Sequence, residues 1–259
     1  VLERPNLRYR ADGADAHERR AVDESFASSV LWAGAIAAED PDGAVLVDFT
    51  SFALRDAHGV ARTLRGAGQG SFHLDDGRSF LESDRCHAFP DNVELSARLT
   101  FTGENPGRQV RSTAPDPSAV SLRAHHSLIR LPDADYVPRN ADPRAGGFAV
   151  RYADYAASLE EPIHRSLAVR HRLVAASSSD ASSAAVEPIV YYVDRGAPEP
   201  VRSALLDGAG WWAEAFAAAG FEDAFRVELL PEGAHPLDVR YNVIQWVHRS
   251  TRGWSYGNA

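Results

Sequence analysis

The sequence predicts an α+β protein in two parts: a β-rich antiparallel N-terminal domain over residues 1–175 and, beyond a linker at 176–186, a strand–helix–strand–strand region over 187–259. Three observations predict this. In "VELSARLTF", Val93, Leu95, Ala97, Leu99 and Phe101 alternate with mostly polar residues, the period of a half-buried antiparallel strand. "AASSSDASSAA" has little to bury and much backbone entropy to lose, which marks a linker or exposed loop. After it the pattern changes from strand upon strand to a strand, a long helical stretch and two further strands.

Taken in order, "DAHERRAVDESFASSVLW" carries Val22, Phe26 and Val30 four apart. Asp15 and Glu18 have capping-box spacing, so residues 15–31 are predicted helical. Strands follow at 44–49, 93–101, 121–131, 147–152 and 166–175, each short, rich in β-branched or aromatic residues and bounded by Pro, Gly or Asp. "SFHLDDGRSFL" predicts a hairpin turning at Asp76-Gly77. "GAGQG" at 66–70 lacks the last glycine of a dinucleotide fingerprint and runs into a strand, so it reads as a turn.

In the second part, "PIVYYVD" (188–194) is a compact apolar strand. A helix then begins among prolines, whose missing N–H matters least at a first turn, and ends at Gly220. Leu205, Gly208, Trp212, Ala215, Phe216 and Ala219 fall on one side of it. Burying an aromatic such as Trp212 contributes roughly 2–3 kcal/mol, so this side is expected against a sheet. The same periods place Trp211, Trp212 and Trp246 in the core. Residues 225–230 and 241–249 are two more strands.

Composition narrows the function. A formal net charge of -9 over 259 residues argues against nucleic acid as a partner, because such binders place basic groups against a polyanion. One cysteine, Cys86, rules out an internal disulfide and a Cys-rich zinc cluster. No apolar run is long enough to span a bilayer, and the start lacks the basic head and apolar middle of a signal peptide. Without an initiator Met, the chain reads as an internal piece of a longer protein.

Candidate ligands are few. His125 and His126 are adjacent, so in a strand they point to opposite faces and cannot chelate one ion together. His126 shares a side with Leu122, Ala124 and Leu128, which suits a hydrogen-bonded core histidine. His164 and His171, seven apart, would also face opposite ways on one continuous strand. His248 and Arg249 read as solvated strand-end residues, with lining of a cleft as the alternative. No metal ligand or catalytic residue is assigned to this chain.

From "PIVYYVDRGAPEPVRSALLDGAGWWAEAFAAAGFEDAFRVELLPEGAHPLDVRYNVIQWVHRSTRGWSYG", and more loosely from "SVLW", "LVDFTSFALRDAHGVA", "CHAFPDN" and "RYADYA", the sequence resembles bacterial zinc-dependent metalloproteases of the metzincin type. Large secreted or periplasmic members of that group carry uncharacterised β-rich regions ahead of the protease domain. The resemblance implies that 187–259 is the first part of a metzincin-like α/β catalytic domain, ordered strand, helix, strand, strand and edge strand ahead of the zinc helix. It implies that Gly253, Trp254, Ser255, Tyr256 and Gly257 form that edge strand and offer backbone groups to an extended peptide or protein substrate.

The zinc chemistry of the group needs H-E-x-x-H-x-x-G-x-x-H, and this sequence lacks it. "HERRA" at 17–21 has Ala21 where a second His would stand, and a methionine turn is excluded because the chain has no Met. The implied protein is therefore a secreted or periplasmic metalloendopeptidase whose zinc and C-terminal protease half lie beyond these residues, with this chain inactive alone. The alternative is a non-catalytic, prodomain-like or peptide-binding module. "RCHAFPD" also resembles the R-C-G-x-P-D stretch that holds a prodomain thiolate on zinc, although its spacing is one residue longer and the glycine is missing. Cys86 is read first as a small buried hydrophobe and second as an inhibitory thiol.

Overall fold

The computed structural model describes residues 1–131, 136–177, 182–248 and 257. It is a mixed α+β protein made mostly of strands, and it divides into two compact units, residues 1–5 with 28–130 and residues 6–27 with 131–259.

The first unit is organised by Asn92–Glu104, a strand longer at both ends than its hydrophobic alternation predicts. On one side it pairs antiparallel with Ala119–Ile129 in unbroken register, from Ala119↔Thr102 to Ile129↔Asn92. On the other side Ser71–Leu74, Phe80–Leu81 and His87–Ala88 pair with it in turn, separated by 3-10 turns at Asp76–Arg78 and Ser83–Arg85. The hairpin predicted at Asp76-Gly77 is thus corrected. Both flanking strands hydrogen-bond to the same long partner and not to each other, so the turn is an excursion from one interrupted edge.

One face of this sheet builds the core. Phe72, Ala97, Leu99, Phe101, Val110 and Ala124 are buried together, and Leu54, Val60, Ala61 and Leu64 pack on them from short helical segments at Thr50–Ala53 and Val60–Gly66. "GAGQG" is the predicted turn: Gly68 and Gly70 have φ of +66° and +113°, angles that favour glycine. Gln69 in that turn accepts from the Gln109 N–H at 2.9 Å, closing the start of the helix Arg108–Thr113. Val93, grouped by alternation with the apolar face, is 40% exposed. It lies at the sheet end, beyond the helices' reach.

Ser29–Trp32 is also a strand of this unit, pairing with Leu2–Arg4. The helix predicted over 15–31 spans only Ala16–Ser25, where Asp15 caps the His17 and Glu18 N–H groups at 2.8 and 2.9 Å. Phe26 leaves in an extended conformation and stacks on Tyr9, so the four-residue spacing to Val30 is coincidental. "AVLVDF" contributes Val45–Val47, paired with Ile36–Glu39.

In the second unit, Ala149–Asp154 runs between His164–Ala168, antiparallel, and the short Tyr9–Arg10, parallel. The strand predicted over 166–175 is shifted towards its N-terminal end, so His171 lies outside it, with Nε2 3.5 Å from the Tyr191 hydroxyl. The Ser-rich stretch is tied at its described ends: Ala175 bridges Ala185, and the Ser177 N–H donates to Ser183 Oγ at 2.9 Å. A second sheet is wholly parallel, with Ile189–Val193 at its centre between Phe225–Leu229 and Asn242–Ile244.

The helical stretch joining the first two of these strands is two helices, Val201–Gly210 and Trp212–Ala218, which meet at Trp211. A helical period counted through that break loses its phase. Phe216 lies parallel to Phe225, ring centroids 5.4 Å apart, while Trp211 and Trp212 are 69% and 63% exposed. The core placement predicted for these two tryptophans is overturned, and so is that of Trp246, 43% exposed beyond the strand's end at Ile244.

Candidate functional site

Asn92–Glu104 has a second face, and it carries a row of hydrogen-bonded charged and polar side chains. Alternation puts Asn92, Glu94, Ser96, Arg98 and Thr100 opposite the apolar core. Register sets Ser127, His125, Arg123 and Ser121 of the neighbouring strand beside them. Glu94, in the middle of this row, is only 2% exposed.

A carboxylate removed from water must be hydrogen-bonded, or it destabilises the fold. Glu94 accepts from Asn92 Nδ2, from Ser127 Oγ at 2.6 Å and from His125 Nε2. One strand further along, Glu82 is gripped by two guanidinium groups: Arg98 Nη2 at 2.7 Å and Arg123 Nε at 2.5 Å, with Ser96 Oγ at 3.0 Å. Thr100 continues the row, donating to the Arg78 carbonyl at 2.9 Å and meeting Ser121 Oγ at 2.8 Å.

The Arg123 and Arg98 hydrogen bonds hold the Glu82 carboxyl down at about 2, against an ordinary value of 4.5. A carboxylate depressed by folding adds stability that is present above its unfolded pKa and disappears as pH falls from there towards the folded one. The expected result is that Glu82→Gln is less stable than the parent at pH 6 and that the difference shrinks through pH 4.5 and vanishes near pH 2. Urea unfolding across that range measures it, and a pH-independent difference would remove Glu82 as the cause.

Chemically, this face satisfies charge, and the hydroxyl–imidazole contact it carries is an exposed one, Thr102 Oγ1 with His73 Nε2 at 3.3 Å. Ser127 and His125 both bond to Glu94 Oε2, which lines up no hydroxyl with an imidazole of the kind that activates a nucleophile. Among the described residues no grouping of three or more His, Cys, Asp or Glu could hold a metal ion. His126 faces the other way, Nε2 3.3 Å from the Ala53 carbonyl and tilted on Phe52, and burial lowers its pKa. That is the hydrogen-bonded core histidine the alternation predicts.

Cys86 is partly buried, its thiol 3.5 Å from the Glu82 carbonyl and 4.0 Å from that of Ser96. The proposed substrate strand falls outside the described residues at Gly253, Trp254, Ser255 and Tyr256. Gly257 is described and exposed. His248 is exposed, edge-on to Trp246, and Arg249 lies outside the described residues. Sequence reading missed the buried row because Glu94, Ser96 and Arg98 look like an ordinary wet strand face. The signal was the matching chemistry of "SLRAHHS", legible only once its register with the long strand is known.

These features define a mixed α+β protein, mostly strands, in which no helix among the described residues is long and apolar enough to cross a membrane. The chain belongs to the family described as a domain of unknown function, DUF5117, whose family model matches residues 1–176. No curated protein and no solved structure matches the chain.

Proposed function

We propose that this chain supplies the supporting region and the opening catalytic-domain strands of a secreted or periplasmic zinc-dependent metalloendopeptidase, and that it does not hydrolyse peptides by itself. The observation that carries this reading is the element order after residue 187. Strand Ile189–Val193, helices Val201–Gly210 and Trp212–Ala218, the two-residue strand Phe221–Glu222, and strands Phe225–Leu229 and Asn242–Ile244 come in that order, which, the two-residue strand aside, is the strand, helix, strand, strand order expected of a metzincin-like domain. Support also comes from the parallel sheet these strands form, because ligands of open parallel sheets gather beyond the carboxyl ends of the strands. Residues 253–257, downstream of the last strand, are the segment proposed to pair with an extended substrate.

Zinc would supply Lewis-acid activation of water in the parent protein. The described residues do not fit it, since no grouping of them could hold a metal ion, so no catalytic step is assigned to this chain and its ligands are proposed to come from a C-terminal protease half. The test compares the product of the complete coding frame with residues 1–259 alone. The expected result is H-E-x-x-H beyond Ala259, peptide hydrolysis by the complete protein that phenanthroline abolishes and zinc restores, and none by this chain. A frame that closes without that motif, or chelator-sensitive hydrolysis by this chain, overturns the reading.

A further inference from the structure

The second unit contains a cleft of about 430 Å³ at the edge of the sheet formed by His164–Ala168, Ala149–Asp154 and Tyr9–Arg10. Arg8, Arg151, His164 and Arg165 line it, with Tyr9, Tyr152 and Ser166 among the remaining wall, and no Asp or Glu side chain does. Arg165 is engaged by Glu161 at 2.9 Å. Neither Arg8 nor Arg151 makes an ion pair with any described residue. Glu161 and Asp154, the latter 3.8 Å away, offset the charge of Arg165, so on a chain of net charge -9 the positive potential of the cleft rests on Arg8 and Arg151.

A second observation is independent of charge. Tyr9–Arg10 pairs with only two residues of its neighbour, Ala153↔Tyr9 and Asp154↔Arg10. The ladder stops there because the Arg8 N–H turns to Asn6 Oδ1 at 3.3 Å while its carbonyl accepts from Ala153. On this side Ala153 donates outward to Arg8, whereas Asp154 donates the opposite way, to the Ile163 carbonyl. Backbone groups alternate along a strand, so the Arg151 N–H and C=O point to the open side. Among the described residues no strand pairs there with residues 149–152.

We propose that this cleft binds an extended acidic peptide, which adds a strand to the open edge at residues 149–152 and places consecutive carboxylates on the arginines. The edge is about 13 Å long, enough for about four extended residues. Cross-strand register puts Arg151, Ser166 and His164 on one face of the sheet and Tyr152 on the other, and the pair Ala153↔Tyr9 puts Arg8, one residue before Tyr9, on that second face. Successive side chains of an incoming strand alternate faces, so two adjacent acids both meet a guanidinium. The planar donor fork of arginine matches a carboxylate in two-point contact, and backbone pairing supplies affinity that does not depend on sequence. A nucleic acid fits less well, because its charge would continue past three arginines onto an acidic surface. The proposal does not rest on the metalloendopeptidase reading.

Fluorescence anisotropy with a labelled hexapeptide, two consecutive glutamates flanked by valine and threonine, tests it on the 259-residue chain. Saturable binding is expected, weakened at least tenfold by Arg151→Glu or Arg8→Glu, by glutamine in place of both glutamates, and by N-methylation of alternate peptide nitrogens. Both arginines are exposed, so thermal melts should match the parent, and Arg151→Gln gives a milder second variant with a smaller loss. The proposal is overturned by absence of saturable binding, by equal affinity for the glutamine peptide, or by indifference to N-methylation. Tighter binding of oligothymidylate, or displacement of the peptide by equimolar inorganic phosphate, also overturns it by identifying a phosphate site.

Discussion

Glu94→Ala is expected to destabilise the first unit by about 3 kcal/mol, because three donors lose one buried acceptor. Breaking a buried charge network by removing one partner typically costs about 3–5 kcal/mol, and each buried polar atom left unpaired contributes about 1–3 kcal/mol of that. His125 is 35% exposed at its side chain, and Ser127 lies at the surface, so water repairs part of the loss. That repair at His125 and Ser127 places the estimate at the lower end of the range. Glu94→Gln retains the shape and one acceptor oxygen, and its loss should be about 1 kcal/mol. Hydrogen exchange of the Asn92–Glu104 amides during urea titration reads this unit directly. An alanine variant within about 0.5 kcal/mol of the parent would show that the carboxylate is not what holds these strands.

Gly103→Ala should be comparably damaging for a steric reason. A Cβ at Gly103 would sit 2.2 Å from the Ser71 carbonyl oxygen and 2.8 Å from Phe72 Cα. Both are backbone atoms of the strand hydrogen-bonded alongside, so no rotamer change relieves the contact. The strands must separate at the pair Phe72↔Gly103, where Phe72 is 2% exposed in the core. Overpacking usually costs about 1–3 kcal/mol, and an obstruction made of backbone belongs at the top of that range, about 3 kcal/mol. Glycine inside a strand often marks such a close approach. Ala97→Gly on the same strand, which removes a methyl group and adds flexibility, is a control expected to cost about 1 kcal/mol. A Gly103→Ala protein that melts with the parent would mean that the two strands lie further apart than described here.

Elements whose burial repeats with a short, unbroken period were legible before any coordinates. The long strand, its partner at Ala119–Ile129 and the strand Ile189–Val193 fall where alternation or a compact apolar run put them. Errors arose where a period was carried through a change of backbone. Val30 and Leu31 extended a helix that ends at Ser25, and Trp211 interrupts the helix whose apolar side was counted straight through it. Asp76-Gly77 supplied good turn residues, but local turn chemistry does not specify which strand its flanks will join.

By itself, then, the sequence determined the α+β class, the main strands, the apolar face of Val93 to Phe101 apart from its exposed first residue, and the inward role of His126, because those follow from the two-residue period of a strand and the preference of apolar groups for shelter. Only the tertiary structure decided that Glu94 and Glu82 are covered, that Arg98 and Arg123 converge on one carboxylate, and that an arginine-lined edge stays open beside Arg151. Each of these joins residues far apart along the chain. Their meeting is fixed by strand register and by the route of the interrupted edge, which no local pattern encodes.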